Sequence, residues 1–131
     1  MSYERIDGYH DVALKGIVGS GAPGIIALSF VMEDGQQKSL TLHACEIFRA
    51  TDFVNQNVVS RLLLFRGPEI DTGIVIDKLR WATSLSDAKS YLSPEWVEVV
   101  LAKIRSGQLS LLVLEPSCGA EIVALFSHLS T

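Results

Sequence analysis

Residues 24–33 alternate. Ile26, Leu28, Phe30 and Met32 fall on one side of an extended backbone, with Ala27, Ser29 and Glu33 on the other. A period of two marks a half-buried strand. Asp34-Gly35 follows, a turn signal because glycine reaches positive φ at little cost. Residues 38–48 alternate again, with Leu40, Leu42 and Ala44 inward and Ser39, Thr41 and His43 outward, so the two segments predict a hairpin. The pattern fails near Cys45, where Glu46 falls at an inward position. A bulge there would return Ile47 or Phe48 to the core. Residues 58–65 predict a further strand with Arg61 outward, stopped by Gly67-Pro68. Residues 12–18 and 74–81 read as weaker strands, the first closed by Gly19-Ser20-Gly21-Ala22-Pro23-Gly24.

The period changes after residue 93. Ser93 can cap a helix, and Pro94 suits its first position, where no donor is needed. Val97, Val100, Leu101 and Ile104 recur at helical spacing, widened by Trp96 and Val99. Glu95 and Arg105 complement the two ends of the helix dipole. The helix therefore runs from about 94 to 106, and Gly107 ends it. A shorter helix is expected near 85–91. Residues 109–114 are almost continuously apolar, as in a strand buried on both faces. Residues 116–119 predict a turn, and 122–126 a strand returning antiparallel, since Ile, Val and Phe suit a pleated surface. The expected fold is α+β in one domain spanning 1–131. It is a mostly antiparallel sheet of about six strands, curled or barrel-like, with one well-defined amphipathic helix packed on it.

Composition narrows the function classes. The 131 residues are 48% hydrophobic and 20% charged, a globular profile and not a disordered one. A mean hydropathy of +0.31 implies a well-filled core, or an apolar patch buried by association, including homo-oligomerisation. Eleven Lys and Arg against fifteen Asp and Glu leave a net charge of -4. Nucleic acid is therefore not expected as the main partner, because its affinity draws on clustered cations. Arg49, Arg61, Arg66, Lys78 and Arg80 share one stretch but are interrupted by Asp52, Glu69, Asp71 and Asp77, which leaves room for a small anion site at most. The polar, acidic start and the shortness of every apolar run argue against a leader peptide and a membrane helix. Two isolated cysteines form neither a disulfide framework nor a zinc motif, and a cytoplasmic location is expected.

Candidate chemistry is sparse. Cys118, beside Gly119, could act as a nucleophile if a histidine lowered its pKa, and His128, His10 and His43 are the available bases. Its surroundings do not form the Gly-x-nucleophile-x-Gly elbow. His43 and Cys45 would share one strand face and could begin a metal site with His10 or Asp11, but the set falls short of the three or four ligands zinc needs. No metal or cofactor is expected. The glycine-rich stretch lacks the Lys-Ser/Thr and helix of a phosphate loop. Glu69, Asp71, Asp77 and Asp87 read as solvated surface, and Trp81 and Trp96 as core. The densest polar cluster is Thr51-Asp52-Phe53-Val54-Asn55-Gln56-Asn57, flanked by Arg49 and Arg61. Its amides and acid supply donors and acceptors, and Phe53 an apolar centre. The expected function is a small acidic protein-binding module, immunity-type or adaptor, with a binding surface of Arg49, Asp52, Phe53, Asn55, Gln56, Asn57 and Arg61. A thiol-dependent hydrolase or transferase on Cys118 and His128 is the alternative.

Overall fold

The computed structural model describes residues 4–19, 24–84 and 92–131. Among the described residues nine strands and two helices follow one another as β1 (Glu4–Arg5), β2 (Ala13–Gly19), β3 (Ile26–Val31), β4 (Gln37–His43), β5 (Ile47–Thr51), β6 (Val58–Phe65), α1 (Thr72–Thr83), α2 (Pro94–Arg105), β7 (Ser110–Cys118), β8 (Glu121–Phe126) and β9 (His128–Ser130). All strand pairs are antiparallel. The order is β5-β8-β7-β6-β2-β3-β4-β9, with β1 on β6.

The two ends of that order are not independent edges. β5 continues the chain just beyond β4, and β9 just beyond β8, while β4 pairs β9 and β5 pairs β8. β4 and β5 thus run along β9 and β8 as one interrupted ladder, although the nine-stranded sheet is not closed. The break falls at Ala44, a non-glycine residue at φ 51, and Ser127 N restores contact by donating to His43 O at 3.0 Å. This corrects the reading of 38–48 as a single bulged strand. Ala44 is exposed, not inward, because the left-handed residue swings the chain out of β4 and into β5.

Curling gives the sheet two cores. Leu14, Leu28, Phe30, Leu40, Leu42, Leu62, Leu112, Ile122 and Phe126 fill its inside. Leu63, Phe65, Leu111, Val113, Val123 and Leu125 face outward and are covered by Val75 and Leu79 of α1 and Val100, Leu101 and Ile104 of α2. Successive residues of β6, β7 and β8 thus enter opposite cores. That explains why residues 109–114 and 122–126 are apolar throughout, and each such side chain contributes roughly 1.5–3 kcal/mol.

Residues 74–81 are not a strand. Asp71 Oδ1 accepts from Ile74 N at 3.1 Å and starts α1, and Val75 and Leu79 supply an i, i+4 buried stripe. The helical stripe against the outer core outweighs the alternation of β-branched residues. α1 and α2 are each twelve residues long, so the sheet carries two equal helices where one was expected, and nine strands where about six were. β7 also extends through the expected turn to Cys118. Pro116 is accommodated opposite Val59, where the β6–β7 register shifts, and the turn tightens to Gly119-Ala120. The expected helix at 85–91 lies outside the described residues. Among the described residues no helix is long and apolar enough to cross a membrane.

Candidate functional site: a clamped apolar loop

The β5–β6 connection, residues 52–57, leaves Thr51 opposite Glu121 and returns to the sheet at Val58, opposite both Cys118 and Ala13. It therefore spans one end of the curled sheet. Asp52 adopts φ 60, a left-handed conformation tolerated by a short polar side chain. Phe53 and Val54 are each 49% exposed and adjacent, whereas Asn57 is only 4% exposed.

Asn57 holds the loop from inside. Its Oδ1 accepts from Val54 N at 2.9 Å and from Ala120 N at 3.1 Å, and its Nδ2 donates to Val54 O at 2.8 Å. One amide so ties the loop to itself and to the β7–β8 turn, and Asn57 O accepts from Leu14 N at 2.9 Å to bind β2 as well. Gly119, at φ 83, lies against this clamp, and any Cβ there would overlap Asn57 Oδ1. The result is a fixed tip with an apolar centre at Phe53 and Val54, and with Asp52, Asn55 and Gln56 exposed around it.

The flanking arginines serve the framework. Arg49 stacks its guanidinium 4.3 Å over the Trp81 ring and donates to Trp81 O at 2.6 Å and Ser84 Oγ at 3.0 Å, pinning the end of α1 to β5. Arg61 Nε donates to Glu115 Oε1 at 2.6 Å across β6 and β7. Lys78 pairs with Glu121 at 3.3 Å, and Arg66 and Arg80 are exposed. The cations grouped in sequence are thus dispersed, three of them to separate partners. Trp81 and Trp96 pack against the outer core.

Cys118 is exposed at the end of β7, whereas His128 stands opposite His43 at the far end of β8 and β9. The seven residue-to-residue steps from Glu121 to His128 span on the order of 20 Å of extended chain, so the structure does not bring thiol and imidazole together. Nor do His43 and Cys45 share a face. Cys45 packs against the inner core and donates from Sγ to Ile47 O at 3.2 Å. Burial pushes its thiol up to about 11, opposed by that backbone bond and reinforced by Glu46. His10 lies elsewhere, with Nδ1 donating to Ser60 O at 3.0 Å and Nε2 3.4 Å from Asp11. Among the described residues no three His, Cys, Asp or Glu side chains converge as a metal site would require.

The polar composition of the 52–57 connection is visible along the chain, but its clamp is not. Asn57 lies more than sixty positions from Gly119 and Ala120, and the one local signal was a glycine at a hairpin turn. The pairing of His43 with His128 was likewise invisible along the chain. No protein-family model matches this sequence, and neither the curated proteins nor the solved structures contain a match.

Proposed function

We propose that this protein is a protein-binding module that engages its partner through the 52–56 loop. The observation that carries the reading is the pair Phe53 and Val54, half-exposed side by side on a backbone pinned by buried Asn57. An exposed aromatic costs solvation, and a loop ordered beforehand loses less entropy on association, so together they suit recognition. Asp52, Asn55 and Gln56 form the polar rim, and Arg49 and Arg61 shape the flanks through their framework contacts. The net charge of -4 would speed encounter with a basic partner, as in an immunity-type or adaptor protein.

The test is capture from native lysate at physiological and raised salt, comparing the natural chain with the double variant Phe53→Ser, Val54→Asp. One stoichiometric partner retained by the natural chain and lost by the folded variant supports the reading. Equal capture by both removes the loop from consideration.

A further inference from the structure

We propose that two copies of this chain pair through the free edge of β2, forming a two-fold dimer centred on Val18. β6 meets β2 only at Ala13 and Val58, and the last bond between them runs from Leu14 N to Asn57 O at 2.9 Å. Before Asn57 the chain comes from β5, on the far side of β8, whereas β2 continues along β3 to Gly19. Among the described residues no strand pairs the other side of residues 15–19. The ladder fixes which backbone groups are open. Leu14 directs its N–H at β6, so Ala13 faces β3 opposite Val31, and β3 runs unbroken from there, so Ser29 and Ala27 face β2 as well. Their partners Gly16 and Val18 are therefore satisfied, and the N–H and C=O groups of Ile17 and Gly19 point outward.

This edge is complementary to itself. In an antiparallel pair centred on Val18, Ile17 of each copy meets Gly19 of the other, and every open N–H finds an open C=O in four bonds. Val18 is 58% exposed, the most of any large hydrophobic side chain among the described residues. The pairing sets it against its twin as a directly opposed β-branched pair and removes both from water. Edge strands are commonly protected by a charge or a bulge, and β2 has both at Lys15. Both lie outside the paired segment, because the register with β3 shifts only between Leu14 and Gly16 and is regular from there to Gly19. Residues 16–19 carry no charge, so no side chain repels its own copy. The two Lys15 residues stand six strand positions apart, roughly 20 Å, well beyond the ~8 Å over which physiological salt screens charge.

So short an edge contact belongs at the small end of specific interfaces, and a dimer with Kd on the order of 10–100 µM is expected. Sedimentation equilibrium of the full chain from about 5 to 500 µM tests it and should show monomer and dimer exchanging in that range. Gly19→Pro deletes two of the four bonds and should weaken the dimer at least about tenfold. Gly19→Ala should dimerise as the natural chain does, since a Cβ at that position meets nothing within 4 Å. Val18→Lys sets like charges directly opposite each other and should leave a monomer. Because Val18 is exposed, that variant keeps the test valid even if Gly19→Pro fails to fold, and urea unfolding checks both. A natural chain still monomeric at about 500 µM, or a dimer unchanged by Val18→Lys, overturns the proposal.

Discussion

Replacing Asn57 by alanine removes three hydrogen bonds made by one buried amide. Ala120 is 1% exposed, so its N–H would be left without an acceptor and beyond the reach of water, at about 1–3 kcal/mol. The two bonds to Val54 lie in an exposed loop where water can replace them, at about 0.5–1.5 kcal/mol each. Asn57→Ala should therefore cost about 2–6 kcal/mol, a large share of the ~5–15 kcal/mol that holds a domain folded. Gly119→Ala should also destabilise, through its φ of 83, worth about 1–2 kcal/mol in an L-residue, and through overlap with the Asn57 side chain. The overlap with Oδ1 and Cγ disappears when residue 57 is alanine, whereas the 3.0 Å approach to its Cα and the strained φ remain. Gly119→Ala should hence cost less, by about 1 kcal/mol or more, in the Asn57→Ala background than alone. Urea unfolding followed by tryptophan fluorescence measures all four corners of the cycle. Additivity within ~0.5 kcal/mol would refute the clamp as the reason for glycine at 119.

Other consequences can be measured on the same preparation. Arg49→Ala should cost about 1–3 kcal/mol by removing two hydrogen bonds and the stacking on Trp81, and should shift that residue's fluorescence; an unchanged spectrum would deny the contact. Phe53→Ser with Val54→Asp should change stability by no more than about 0.5 kcal/mol, because both side chains are half-exposed, and urea unfolding checks it. Cys118 should react with iodoacetamide at pH 8 well before Cys45, whose thiol is part-buried and stays protonated; equal labelling would contradict the inward placement of Cys45. The folded-state pKa of Cys45 lies above its ordinary value, so the neutral thiol favours the folded state below pH about 9. That stabilisation should be lost as pH rises to about 11. Stability measured from pH 8 to 11 should fall less in Cys45→Ala.

The relation of sequence to structure differs between elements for reasons that can be named. Alternation over residues 24–33 was enough to place Leu28 and Phe30 inside, because one face of β3 meets the core and the other does not. The cap and stripe of α2 were equally legible, since Ser93, Pro94, Val100 and Ile104 act within a few turns of one another. Residues 74–81 misled because Ile and Val favour strands, and only the outer core selects Val75 and Leu79 as a helical stripe.

The loop at 52–57 stood out by composition alone, but the division of labour within it did not. Tertiary structure decided that Asn57 faces inward as a clamp while Phe53 and Val54 face solvent, since that depends on Ala120 and Gly119 arriving from another hairpin. It also decided that Arg49 and Arg61 carry framework partners and that His43 meets His128. The sequence by itself determined the α+β class, most strand faces, the second helix and the polar loop, because those follow from contacts between near neighbours along the chain. The curled sheet, its two cores and the composition of each site rest on pairings between distant segments, which local periodicity does not encode.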